Sequence, residues 1–396
     1  MKPLQQKLAQ YTVPQEAKAA GIYPYFTPIT SEQNTEVYVQ GHEGKILMFG
    51  SNSYLGLTND PRLKEAAKRA IDKYGTGCAG SPFLNGTLDI HIQLQNELAE
   101  FLGKDDVMLF SAGFLANSGV IPDVVGRGDY LFYDERDHAS IMEGKLITFA
   151  NTQKYKHNDM ADLERVLQKA PLEASKLVVT DGVFSMEGDV ARVDQLVEVC
   201  KKYKATLMVD EAHGLGVFGR EGRGTCDHFG KLPEVELVMG TFSKSLASVG
   251  GFIAADKETI NWMKHSVRPY IFTASITPAS TASVLEALHI MRSEPERNAA
   301  LWDNQHYALK AFRELGFEVG NTETPIIPLF IRDNTKTFTI THDLLEDGVF
   351  VTPVIAPAVP SDETLIRVAL MATHTHSQID TAVDKIHRAF KKLGVL

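Results

Sequence analysis

A chain of 396 residues is too long for one small domain and suits a large domain with a smaller companion. Hydrophobic residues at 44% and charged residues at 23% allow a substantial core, and a net charge of −10 argues against a nucleic-acid surface. Cys78, Cys200 and Cys226 cannot all pair and lack metal-ligand spacing, the start is polar, and no apolar run reaches membrane-spanning length, so a cytoplasmic protein without a metal is expected.

In chain order, residues 1–55 read as an N-terminal arm and helix, 56–290 as a large domain, and 291–396 as a small C-terminal α+β domain. Asp60-Pro61 opens an amphipathic helix through Leu63–Ile71, with proline well placed at its start. Beyond about residue 105, apolar strands are expected at Asp106–Phe110, Tyr130–Tyr133, Lys176–Thr180, Thr206–Val209, Val235–Met239 and Gly251–Ala254. Helical spacing covers Ala161–Gln168 and Val193–Tyr203 between them. Such alternation predicts an α/β fold, a mainly parallel sheet with helices on both faces. Long helical patterns then fill about 278–315, broken at Glu294-Pro295-Glu296, and the chain closes on a helix over Ser377–Leu393.

Two glycine patterns look like dinucleotide sites and fail the test of context. Gly75-Thr76-Gly77-Cys78-Ala79-Gly80 follows a helix, and Gly214-Leu215-Gly216-Val217-Phe218-Gly219 leads into a glycine-rich stretch that cannot open a helix. His374-Thr375-His376 is metal-like in spacing but reads as alternate residues on a surface loop.

The chemistry concentrates elsewhere. Glu236-Leu237-Val238-Met239 delivers Lys244 onto a turn of small and hydroxyl residues, and Thr206-Leu207-Met208-Val209 delivers Asp210, with His213 three positions on. This equipment suits a pyridinium aldehyde phosphate. The amine forms an imine, the carboxylate keeps the ring nitrogen protonated, and hydroxyl and N–H groups take the phosphate. Ligands of such sheets sit beyond the carboxyl ends of strands, where Asp210, Lys244, His138 and Ser185 all fall. Gly113 and Phe114 open a helical run whose first N–H groups could meet the phosphate. Arg367, amid apolar residues, needs an anion, and a carboxylate fits its fork. Each has a plainer alternative: a solvated lysine, a helix-capping Asp210 or His138, a structural His213, an ordinary helix start, an ion-paired Arg367.

These residues occur in an ordered succession. It runs through Ser51-Asn52-Ser53-Tyr54-Leu55-Gly56-Leu57, Gly75-Thr76-Gly77, Leu84-Asn85-Gly86-Thr87, Asp137-His138-Ala139-Ser140, Asp181-Gly182-Val183-Phe184-Ser185-Met186-Glu187-Gly188, Asp210-Glu211-Ala212-His213, Thr241-Phe242-Ser243-Lys244 and Arg367-Val368. Over nearly its whole length the chain thereby resembles the α-oxoamine synthases, pyridoxal-phosphate enzymes of the aspartate aminotransferase-like fold type I. The resemblance implies Lys244 as the Schiff-base lysine and base, Asp210 as ring-nitrogen partner, His213 as phenolic-oxygen partner and His138 stacked on the ring. It implies Ser185 beside the ring, and Thr241, Gly113 and Phe114 on the phosphate. Thr273 and Ala274 would cross to the neighbour's phosphate in a homodimer whose sites lie at the interface. Asn52, Ser81 and Arg367 match positions near the amino-acid substrate.

Family members join an amino acid to an acyl-CoA and lose carbon dioxide. Gly75–Ile92 and Met371-Ala372-Thr373-His374-Thr375 favour members that join L-serine to a long-chain acyl-CoA, palmitoyl-CoA, over those taking glycine or alanine with shorter thioesters. Ala356-Pro357-Ala358-Val359-Pro360 could border an acyl groove or form a rigid loop. A membrane-prone substrate implies transient contact with the inner membrane, although no basic amphipathic helix marks one.

Overall fold

Runs that are apolar at every position become strands buried on both faces, and seven strands form one sheet in the computed structural model, which describes residues 2–356 and 358–396. They are β1 (Asp106–Phe110), β2 (Tyr130–Asp134), β3 (Asn151–Tyr155), β4 (Lys176–Asp181), β5 (Thr206–Asp210), β6 (Leu237–Thr241) and β7 (Gly251–Ala255). Their spatial order is β1-β7-β6-β5-β4-β2-β3, and only β7 runs against its neighbours. The expected α/β architecture with a mainly parallel sheet is therefore present.

Side-chain alternation splits the core in two. Leu177 and Val179 of β4 join Leu131, Met208, Met239 and Ile253 on one face, while Val178 joins Phe132, Leu207, Val238 and Phe252 on the other. Helix α1 (Gly113–Val124) covers the first face with Val120 and Ile121; Val193–Tyr203 and Pro278–Ser293 cover the second. Two details depart from expectation. β3 is an additional edge strand whose polar Asn-Thr-Gln-Lys-Tyr sequence suits exposure on one side. β6 starts two residues later than the apolar run, because Leu232–Glu234 forms a 3-10 turn before it and Gly240-Thr241 extend the pairing with β7.

This sheet belongs to a unit spanning Asn52–Leu301, and the residues up to Ser51 join Trp302–Leu396 in a second unit. In the second, Leu365–Ala369 is the centre of an antiparallel trio with Ile326–Phe330 and Thr352–Val354. Glu36–Val37 and Ile46–Met48 form another small sheet with Val349–Phe350. Helix His376–Lys392 closes the unit, capped by reciprocal Thr375 and Gln378 bonds. His374 is not on the surface, as its sequence context suggested. It is buried, accepts from Met371 N at 3.0 Å, reaches Met48 O at 3.1 Å, and stacks on Phe49. Pro357, within the run considered as a groove border, lies outside the described residues. Among the described residues, no helix is long and apolar enough to cross a membrane.

Candidate active site

Parallel strands that end in register bring their last residues to one rim. Asp181 ends β4 directly opposite Asp210, which ends β5. Asp210 is buried, accepting from Ala212 N at 2.8 Å and from Asn117 Nδ2 of α1 at 2.6 Å. Neighbouring Asp181 is pushed well above the usual carboxylate range, first by burial and then by the charge of Asp210. Its Oδ2 accepts from His138 N at 2.8 Å.

His138 follows β2 and caps helix α2 (Ala139–Ile147), its Nδ1 accepting from Ser140 N at 3.2 Å. The capping alternative is thus realised, and the same side chain also faces the site. Burial lowers its pKa, the charge of Asp210 partly offsets this, and that of Lys244 adds to it. The three groups share one electrostatic neighbourhood.

Lys244 is half-buried on the turn after β6. That turn is held from within. Ser245 Oγ donates to Leu215 O at 2.7 Å, Ser248 N donates to Phe242 O at 2.9 Å, and Phe242 and Leu246 are fully buried. His213 is buried with Nδ1 2.6 Å from the Tyr54 hydroxyl. The second glycine pattern serves Glu211: its buried carboxylate accepts from Thr225 N, Thr225 Oγ1 and Cys226 N at 2.7–2.8 Å, and Gly214 and Gly224 leave room for it.

Gly113 begins α1, and a Cβ there would lie 2.7 Å from Thr241 Oγ1. Thr241 cannot easily yield, since its hydroxyl donates to Gly250 O at 3.0 Å. Glycine therefore lets the N-terminus of a twelve-residue helix, including Phe114 N, approach a hydroxyl pair formed by Thr241 and Ser243 at 3.0 Å. Exposed N–H groups beside hydroxyls suit a phosphate. Ser185 lies on the turn after β4, half-buried. Among the described residues, Asn52 Oδ1, Ser81 Oγ and Asn117 Oδ1 are buried without a hydrogen-bond partner. Orphaned polar atoms, an anion cradle, a rim carboxylate and an amine are together what a pyridinium aldehyde phosphate and its polar substrate require, so the residues fit pyridoxal phosphate.

Thr273 and Ala274 precede helix Pro278–Ser293. Ser275 N beside them donates to Gly80 O at 3.1 Å, which ties this segment to the loop carrying Ser81. Arg367 is buried in Leu365–Ala369 of the second unit. Sequence reasoning passed over Tyr54, Asn117, Ser140 and Asp181 as site residues. The available signal for Asn117 was a lone amide in the buried, mainly apolar middle of its helix.

The chain matches the model of the aminotransferase class I and II family over residues 44–386. It is 61% identical to a serine palmitoyltransferase of Bacteroides ovatus over 393 residues, 99% of each chain. It is 39% identical to an 8-amino-7-oxononanoate synthase of Thermoanaerobacter pseudethanolicus, covering 96% of each. A solved serine palmitoyltransferase from S. paucimobilis with bound PLP and myriocin superposes with a TM-score of 0.96 at 32% identity, covering all of both chains.

Proposed function

The chain belongs to the aminotransferase class I and II family, within it to the pyridoxal-phosphate α-oxoamine synthases, and we propose that it condenses L-serine with palmitoyl-CoA. Carbon dioxide and CoA are lost, and 3-ketodihydrosphingosine, the first committed product of sphingolipid synthesis, is released. The observation that carries the chemistry is the convergence of Asp210, His138 and Lys244 at one sheet rim. The choice of serine and a long acyl chain is supported by the higher identity to serine palmitoyltransferases than to 8-amino-7-oxononanoate synthases.

When bound, pyridoxal phosphate supplies an electron sink for the pairs released as the Cα–H and Cα–carboxylate bonds break. Lys244 Nζ would hold the cofactor through its aldehyde carbon and would serve as the base for the Cα proton. Asp210 would hold a proton on the ring nitrogen, and His213 would donate to the phenolic oxygen. Gly113 N, Phe114 N and Thr241 would hold the phosphate, and Ser185 would stand beside the ring. His138 would face the ring and offer Nε2 to the serine carboxylate, and Arg367, buried in the second unit, has the fork that a carboxylate fits. Such a grip would set which bond at Cα is broken. Asn52 and Ser81 offer their orphaned oxygens to the amino acid. The working form would be a cytoplasmic homodimer in which Thr273 and Ala274 serve the phosphate site of the second copy, and a long-chain substrate would call for transient access to the inner membrane surface.

The test is an absorbance titration of the yellow holoenzyme with glycine, alanine and serine, each with and without palmitoyl-CoA. Serine binding at micromolar to millimolar concentration, with CoA released only from the long-chain thioester, supports the proposal. Turnover of glycine or alanine with a short thioester would leave the cofactor chemistry standing and replace the substrates.

A further inference from the structure

Behind the rim runs a chain of hydrogen bonds whose direction can be read from the donor inventory alone. Asn117 Nδ2 lies 2.6 Å from Asp210 Oδ2 and 2.9 Å from Ser140 Oγ, and Ser140 Oγ lies 2.7 Å from His138 Nδ1. An amide oxygen could not face a carboxylate oxygen at such a distance, so the NH2 group points at Asp210. Its two protons are then both committed, one to Asp210 and one to Ser140. Ser140 Oγ accepts from Asn117 and by its own inventory could either donate to His138 Nδ1 or accept from it. The Ser140 backbone N–H, which can only donate, lies 3.2 Å from the same nitrogen and makes it an acceptor, so the hydroxyl proton turns toward it as well. Two donors aimed at Nδ1 leave no room for a proton there, so the ring's proton must sit on Nε2. Asn117, Ser140 and Asp210 are all buried, so water does not compete for these bonds.

We propose that Asn117 and Ser140 are positioning residues that lock His138 as the neutral Nε2–H tautomer and tie it to Asp210 through one amide. The inference rests on the reading of His138 as the ring-stacking, carboxylate-binding group. Its consequence is chemical. A neutral His138 offers the substrate carboxylate an N–H donor without adding a second positive charge beside Lys244, whose amine must be free of its proton to act as a base. Burial works in the same direction, and the charged groups acting on His138 from the neighbouring elements are Asp210 of β5, which opposes it, and Lys244 after β6, which assists it. The backbone N–H of His138 is itself fixed by Asp181 of β4.

The test uses holoenzyme labelled with 15N-histidine, in which the His138 ring nitrogens are assigned by their loss in His138→Asn. In the unsubstituted protein they should report the Nε2–H tautomer from pH 8 down to about 5.5, below the ordinary imidazole midpoint. An Nδ1–H or doubly protonated ring at neutral pH overturns the proposal. Asn117→Leu removes the donor that orients Ser140, and Ser140→Ala removes the hydroxyl. Each should raise the acid midpoint for serine binding by about one pH unit, with the nitrogen signals shifting in the same range. Ser140→Thr, which keeps the hydroxyl, should restore both. Unchanged nitrogen signals and an unchanged acid limb in a folded Ser140→Ala variant would equally overturn it. The nitrogen spectra need no amino acid, so they decide this point even if glycine or alanine replaces serine as the substrate.

Discussion

The Tyr54 hydroxyl sits 2.6 Å from Nδ1 of His213, and both side chains are buried. Committing Nδ1 to Tyr54 fixes the plane of the imidazole and turns its other nitrogen toward the proposed phenolic oxygen. Tyr54→Phe keeps the ring and its volume and removes only the bond. A neutral hydrogen bond of this kind is worth about 1–1.5 kcal/mol, so kcat/KM for serine should fall roughly five- to tenfold. The absorption maximum of the bound cofactor should shift as well, because the ring oxygen loses a well-aimed donor. Wild-type kinetics together with a wild-type spectrum would remove Tyr54 from the site.

Gly113→Ala tests the phosphate cradle. The added methyl would sit 2.7 Å from Thr241 Oγ1 and 2.9 Å from its Cβ, against a hydroxyl held by Gly250 O. Either the helix start or Thr241 must retreat by several tenths of an ångström, and both are proposed phosphate ligands. Affinity for pyridoxal phosphate, measured by equilibrium dialysis, should drop at least about tenfold, which is roughly 1.4 kcal/mol. The clash is present with or without the cofactor, so the apo protein should also melt lower, and the cradle is tested by the loss of affinity in the fraction that stays folded. A variant that binds the cofactor as tightly as its parent would place the phosphate elsewhere.

Much of this was legible before any coordinates, and the reason is local. Strands such as Lys176–Asp181 are buried at every position and carry an apolar centre, here Leu177-Val178-Val179, and the residue that ends each strand stands at the rim. Asp210 and His138 were therefore readable as neighbours. Asn117 was not, because its role depends on which strand ends α1 covers, and that is decided by packing across 93 residues of sequence. Short pairings were equally hidden. Glu36–Val37 and Ile46–Met48 are too brief to show a period, and their partner Val349–Phe350 comes from the far end of the chain.

His157 predicts how stability responds to alkali. It bridges Asp134 Oδ1 at 2.9 Å and Asp189 Oδ2 at 2.7 Å, with its edge on Phe184 beside Ser185. Burial alone would pull its pKa down, but the bonds to Asp134 and Asp189, with their charges, lift it to about 10. A group raised on folding contributes fully below its unfolded value near 6.5 and loses that contribution as pH climbs toward about 10. The melting temperature should thus fall between these limits. His157→Gln should melt lower at pH 7, because buried Asp134 loses its counter-charge, and should show a flatter alkaline slope. Parallel slopes for the two proteins would mean that the bridge is not charged.

His374 gives the opposite sign. Burial lowers its pKa to about 4, with the contact to Met48 O opposing only in part. Nδ1 accepts from Met371 N, so Nε2 must carry the proton it gives to Met48 O, and a second proton would turn Nδ1 from acceptor into donor against an N–H. Between about pH 6.5 and 4 the unfolded chain therefore binds a proton that the folded one refuses, and stability falls as pH falls through that window. The linkage is on the order of 3 kcal/mol, enough to appear as a steep acid slope in melting temperature. His374→Asn cannot titrate, and it should flatten that slope while lowering stability at pH 7, since the Phe49 stack and at least one of the two bonds are lost. The same variant should leave the pH dependence of serine binding unchanged, because both ring nitrogens of His374 are spent on Met371 and Met48. An acid slope that survives the substitution would mean that His374 is not its source.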